Sequence, residues 1–344
     1  MQLSDFEQSK CGQFQPDSNF GTCTYYEQAL NPFENGYCKR PENYRCVATT
    51  TLLIPLSYSS VSDFLTCHHL YYLKAIRGIQ TKDAAKSSPL KMGTLWDKVL
   101  QKHLGGENID IPAIINQYEI SDMDVAKVKG IFRAYKALEI KTEPGGELQA
   151  RISMQIDFEK IWTNGDPVKL LLTGFYDRKY PGSFVENKLS GKPDFYLDPF
   201  FIQSQVGTYF LADPELQACT MEIIRTPQLK QTGKNKDESA EELTERVYQD
   251  AISRPSHYFI GWNAERQTYG KKYFRSEFNL DEIKNRYINV FREIFHARIM
   301  DGWYKNDRVC QNILPGISCD MLQCCRYNNI NEQIYQIREK KVAF

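Results

Sequence analysis

Long apolar runs are missing from this chain. No stretch approaches the roughly 18 residues that a membrane span requires, so no membrane partner is expected. The opening segment MQLSDFEQSKCGQF has no apolar core of the kind a signal peptide carries, which points to the cytoplasm. Net charge is missing as well. The 43 Lys and Arg balance 43 Asp and Glu, and without a global basic field any nucleic-acid partner has to be held by local patches. An internal repeat and a heptad run are both absent, which argues against solenoids and coiled coils. Histidine is scarce, with five in 344 residues. His68 and His69 adjoin Cys67, and His103 stands off the helical face of Asp97, so none of them suggests a ligand set.

Cysteine is what the chain has in quantity. Ten of them in a reducing compartment leave metal ligation, redox work or burial as the competing explanations. They are bunched: Cys11, Cys23, Cys38 and Cys46 near the start, Cys67 and Cys219 alone, and Cys310, Cys319, Cys324 and Cys325 near the end. Residues 1–50 have too little apolar content to fold unaided. Their spacing, Cys-x11-Cys-x14-Cys-x7-Cys, either chelates one metal, with zinc the expected ion, or belongs to a loosely ordered arm with incidental thiols. The domain division expected is therefore a cysteine-rich module over 1–50 and one further domain over 51–344.

From Ser59 the spacing of Phe64, Cys67, Tyr71 and Ala75 predicts a helix with Cys67 on its inner face. MGTLWDKVLQKHL predicts a second, stopping at Gly105-Gly106, and residues 122–138 a third. Ile152, Met154, Ile156 and Phe158 alternate with polar residues, as a half-buried strand does. An Asn-Gly turn follows at 164–167, then a strand from Val168 to Phe175 with Asp177 at its end, and a short strand carrying Glu186 and Lys188. DPFFIQSQVGTYFLA reads as a helix, CTMEIIRT as a buried strand with Cys219 a core residue, and the segment after Asn279 as a capped amphipathic helix. Helix, three strands, helix, strand is the order of an α/β sandwich.

Charges at strand ends are costly unless they are paired or bound to a metal. Asp177 and Glu186-x-Lys188 offer two carboxylates to a divalent cation and an amine to the water beside it. Mg²⁺ suits such hard oxygen donors, and Lys188 would orient or activate the water. The bland alternative is a solvated ion pair on an exposed strand. Gln205 and Tyr209 follow, four apart on one helical face.

Gly174 with Asp177-Arg178, Glu186-x-Lys188 and Gln205-x3-Tyr209, in this order, resemble motifs II, III and the QxxxY motif of RecB-like nucleases in the PD-(D/E)XK superfamily. Gly93-x3-Asp97 falls where that family usually has Gly-x3-His. The resemblance covers roughly residues 57 to 330 and implies a restriction-endonuclease-like core, a central mixed sheet flanked by helices. It also implies Asp97, Asp177 and Glu186 as ligands of Mg²⁺ or Mn²⁺, Lys188 as the residue that positions water, and Gln205 and Tyr209 as contacts to the scissile strand. One lone cysteine before the core and a group after it resemble the iron-sulfur subgroup, which includes AddB-type and CRISPR-associated exonucleases. On that likeness Cys67, Cys310, Cys319 and Cys325 would form a cluster lobe. Cys325 is favoured over Cys324 because Cys319-x5-Cys325 keeps the family's last interval, whereas Cys310-x8-Cys319 is longer than usual. Four thiolates suit a [4Fe-4S] cluster or zinc, and the resemblance favours iron.

The function so implied is Mg²⁺-dependent exonucleolytic cleavage of DNA, single-stranded or at duplex ends, with recombination or replication proteins as companions. The rivals are a non-catalytic nucleic-acid-binding factor that keeps the fold as scaffold, and a zinc-stabilised interaction protein with no affinity for nucleic acid.

Overall fold

A computed structural model describes residues 14–16, 21–23, 26–27, 37–38, 53–82, 86–143, 145–158, 168–310 and 319–338. Cys11 and Cys46 lie outside these, and only the backbone of Cys23 and Cys38 is described, so the expected N-terminal metal site falls outside the described residues. The Asn-Gly turn at 164–167 falls outside them as well. Within the first fifty residues Phe14–Pro16 pairs antiparallel with Gly21–Cys23, and Tyr26–Glu27 with Tyr37–Cys38.

The chain divides into two compact units, one of Met1–Ser57 with Ser153–Thr173 and one of Tyr58–Ile152 with Gly174–Phe344. In chain order the elements used below are β1 (Leu53–Leu56), α1 (Tyr58–Thr66), α2 (Ser88–Leu104), α3 (Asp122–Ala137), β2 (Glu147–Phe158), β3 (Val168–Tyr180) and β4 (Ser183–Ser190). They continue with α4 (Pro199–Ala212), β5 (Ala218–Arg225), α5 (Ala240–Ser253), β6 (Lys271–Phe274) and α6 (Leu280–Ile299). Among the described residues no helix is long and apolar enough to cross a membrane.

In the smaller unit β1 runs parallel to the first part of β3, from Leu53 opposite Lys169 to Leu56 opposite Leu172. In the larger unit β6, β5, β4 and the last part of β3 lie side by side as a mixed sheet. β5 is antiparallel to β6 and parallel to β4, and β4 is antiparallel to β3. Parallel neighbours need a crossover, and α4 supplies it between β4 and β5.

Side chains alternate across a strand, so β4 turns Phe184, Glu186 and Lys188 to one face and Val185, Asn187 and Leu189 to the other. On the first face α4 closes over the strand: Phe210 packs on Phe184 with ring centroids 5.2 Å apart. α4 in turn lies on α6 at close range, because a Cβ on Gly207 would collide with Ile283 of α6. On the second face Leu189 and Ile224 join an apolar core built from α2, α3 and α5, with Trp96, Phe132, Tyr135 and Val247 at its centre. The architecture is thus α/β, with helices on both faces of a mixed sheet, as the sequence implies.

Two local expectations change. The helix from Ser59 is not continuous: it stops at Thr66, Cys67 adopts extended backbone (φ −163°, ψ 121°), and a new short helix starts at His68. The break lets the Cys67 sulfur accept the Asn306 N–H at 3.3 Å, a contact 239 residues away in sequence that no local periodicity can signal. The second strand runs past Phe175 to Tyr180, so Asp177 sits inside β3 rather than at its end.

Candidate active site

The backbone ladder between β3 and β4 runs from Tyr180–Ser183 to Arg178–Val185. One step further on, the Asp177 side chain takes over as partner: its Oδ2 accepts the Asn187 N–H at 2.8 Å. Its Oδ1 accepts from Gln149 Nε2 of β2 at 3.3 Å. Asp177 is therefore oriented from two strands, with its carboxylate held beside Glu186.

Glu186 is buried, with 3 % of its surface exposed. Its Oε1 accepts from Lys188 Nζ and from Gln205 Nε2, each at 2.6 Å. Its Oε2 is buried with no hydrogen-bond partner. Gln205 also donates to the Tyr209 hydroxyl at 3.1 Å, so the amide bridges two groups one helical turn or one strand away. Tyr209 is fixed by its ring, which meets Tyr176 and Phe184 edge-on at 5.3 and 5.5 Å.

Asp97 reaches the same place from α2. Burial and then the neighbouring Asp177 push its carboxyl up to about 7, with Glu186 adding to the effect. Burial also pushes Glu186 up to about 7, where Asp177 opposes ionisation and Lys188 favours it. Burial works against the charge of Lys188, but Glu186 beside it more than compensates and holds its pKa above the usual value. Three carboxylates that repel one another, one with a buried oxygen lacking any donor, form a donor set that a hard divalent cation satisfies. As placed, no three His, Cys, Asp or Glu among the described residues stand in the arrangement of a metal site, neither here, where Glu186 is turned onto Lys188 and Gln205, nor among the cysteines. The structure nevertheless brings Asp97, Asp177, Glu186, Lys188, Gln205 and Tyr209 to one locality.

The cysteines converge in a separate lobe. Cys67 and Cys324 are buried with Leu70, Leu73, Ile79, Met321 and Tyr335, and Cys319 and Cys325 pack against them. Cys319 N–H donates to the Cys310 carbonyl at 2.9 Å. Burial raises the Cys310 thiol, and so do the nearby Cys325 and Cys67. Cys325 likewise feels Cys67, whereas the charges acting on Cys324 are those of Arg77 and Lys305. These cysteines are free thiols, residues 311–318 between Cys310 and Cys319 are outside the described residues, and Cys219 is a fully buried core residue of β5.

One functional group was visible in the sequence only as part of a motif. Arg178 is 3 % exposed and its guanidinium donates to Glu222 of β5 and to Asn187 Oδ1 at 3.3 Å, so it ties β3 to its neighbour β4 and to β5 beyond it. The signal was Glu222 itself, a lone acid in the apolar run CTMEIIR.

Residues 55–326 match the family model described as the PD-(D/E)XK nuclease superfamily. No curated protein matches the chain.

Proposed function

The chain belongs to the PD-(D/E)XK nuclease superfamily, and from that premise we propose that it is a Mg²⁺-dependent DNA exonuclease acting on single strands or duplex ends in recombination, repair or phage replication. The observation that carries this reading is the convergence of Asp97, Asp177 and Glu186 beside Lys188, with Glu186 Oε2 buried and unpartnered.

Asp97, Asp177 and Glu186 are the residues that would hold Mg²⁺ or Mn²⁺. Such an ion, when bound, polarises a phosphoryl oxygen and lowers the pKa of a water. Lys188 stays charged against Glu186, so its part is to donate: it orients the attacking water and stabilises negative charge developing on the phosphate. Tyr209 accepts from Gln205 and keeps its own hydrogen to donate to the backbone of the strand. Burial of Tyr209 and the hydrogen bonds of Gln205 to Glu186 and Tyr209 fix both residues before substrate arrives, which limits the ordering cost of binding.

Cleavage of labelled single- and double-stranded DNA with Mg²⁺, Mn²⁺ or EDTA tests the reading. Nucleotide release from ends is expected with Mg²⁺ and none with EDTA. Tight DNA binding without cleavage under any divalent ion would point to the scaffold alternative instead.

We propose further that Cys67, Cys310, Cys319 and Cys325 ligate a [4Fe-4S] cluster. Their convergence in one lobe and the free state of their thiols support it. Protein purified without oxygen is then expected to be brown and to hold about four irons per chain. Cys67→Ser is expected to lose the colour and melt at lower temperature. Zinc in place of iron after anaerobic purification would overturn the iron assignment.

A further inference from the structure

A cavity of ≈ 210 Å³ opens between α1, α4 and α6, in the larger unit. Its polar wall is Tyr58, Ser62, Ser204 and Arg286, and its apolar wall includes Leu65 and Ile283. Ser204 directly precedes Gln205, the residue bonded to Glu186, and Tyr58 is within electrostatic reach of both Lys188 and Arg286. The cavity therefore adjoins the catalytic carboxylates along α4.

Among the described residues Arg286 is the only cation lining it. One guanidinium nitrogen donates to Ser204 Oγ, which fixes the group at the cavity wall. The other meets Glu282 at 3.4 Å, an i,i+4 pair whose side chains are 34 % and 56 % exposed. Exposed pairs of that kind contribute little, so the contact does not hold the guanidinium against a competing anion. A planar fork with donors to spare, a fixed hydroxyl and a phenol are the groups that recognise a phosphate. The apolar wall suits a sugar or base face. The volume is below the ~300–1,000 Å³ of drug-sized pockets, which fits one nucleotide unit and excludes a duplex.

We propose that this cavity is a nucleotide subsite, in which Arg286 and Ser204 bind a phosphate of the substrate strand next to the scissile bond. The proposal rests on the nuclease reading above and makes the cavity the place where one strand, not two, is gripped. The phosphate is either a strand-terminal group or an internal linkage, and the two differ in how they respond to end chemistry.

The test uses the full chain and single-stranded oligonucleotides carrying a 5′-phosphate, a 3′-phosphate or hydroxyl ends, with cleavage followed in Mg²⁺ and binding by fluorescence anisotropy in EDTA. Arg286→Met is expected to raise KM and the EDTA dissociation constant by about tenfold or more, with kcat within about threefold. It is also expected to lower the salt slope of binding by about one. Arg286→Lys should recover part of the loss. Ser62→Phe, at an exposed position of α1, fills the cavity without touching Arg286 and should raise KM similarly. A phosphate-end dependence that Arg286→Met abolishes assigns the terminal group, and equal KM for all ends assigns an internal linkage. Wild-type KM and salt slope in both Arg286→Met and Ser62→Phe overturn the subsite. If the wild-type protein binds DNA without cutting it, the nuclease reading fails while the anisotropy arm still decides the subsite. If it does neither, both fall.

Discussion

Glu186→Gln is expected to lower the cleavage rate by at least about 10³-fold, equivalent to ~4 kcal/mol of transition-state stabilisation, while DNA binding in EDTA stays near the wild-type value. Glutamine has the same shape, and its amide oxygen can accept from Lys188 and Gln205 as Oε1 does now. What disappears is the charge and the bare Oε2. A cation held by the three carboxylates, as proposed, would lose a ligand, and Lys188 loses the charged partner that favours its ionised form. A second readout needs no turnover: Mg²⁺ is expected to raise the melting temperature of the wild-type protein by mass action and to do so much less in the variant. Asp97→Ala serves as the comparison, because it removes a carboxylate that touches neither Lys188 nor Gln205. If Glu186→Gln cleaves at the wild-type rate, the three carboxylates are not the reaction centre.

The second large effect concerns stability. Glu222→Leu or Arg178→Met alone is expected to cost about 3–5 kcal/mol, because each leaves the opposite charge buried without a counterion. The side chains are 3 % and 10 % exposed, so water cannot compensate. With ~2–4 °C per kcal/mol for a domain of this size class, the melting temperature should fall by roughly 6–20 °C. The double variant Arg178→Met/Glu222→Leu is expected to recover most of that loss, since two apolar side chains need no partner. Activity should not recover with it, because Asn187, between Glu186 and Lys188, still lacks the Arg178 hydrogen bond. Additive losses in the double variant would mean that the two charges act independently. Thermal and urea melts of the four proteins decide the point.

How much of this was legible in the sequence depended on how local the cause was. β2, β4 and α6 each carry their own signal: strict alternation, a short apolar run, or the Asn279 cap that accepts the Glu282 N–H. α5 was missed in the sequence, although a capping box from Ser239 to Glu242 precedes Leu243, Val247 and Ala251 at helical spacing. The end of β3 was harder, since Asp177, Arg178 and Lys179 look like loop residues until Glu222 is known to face Arg178. The Tyr180 hydroxyl finds the Glu143 carbonyl at 2.8 Å in the same way. The candidate site residues followed from the resemblance of Asp177, Glu186-x-Lys188 and Gln205-x3-Tyr209 to nuclease motifs, since their spacing alone also fits a solvated ion pair on a strand. The Arg286 cavity did not, because its walls come from three helices far apart in the chain.

The break at Cys67 sets a clock for biosynthesis. The thiols that pack with Cys67 end at Cys325, 258 positions further along the chain. At the ~5–20 residues per second of translation, Cys67 waits roughly 13–50 s for its partners. During that interval α1 has no lobe to dock against, and the apolar faces of Leu70 and Leu73 are without Met321 and Tyr335. α6 ends at Ile299, and Met321, Cys324 and Tyr335 follow it in the chain, so the order of synthesis makes this lobe the last of the described parts of the larger unit to close.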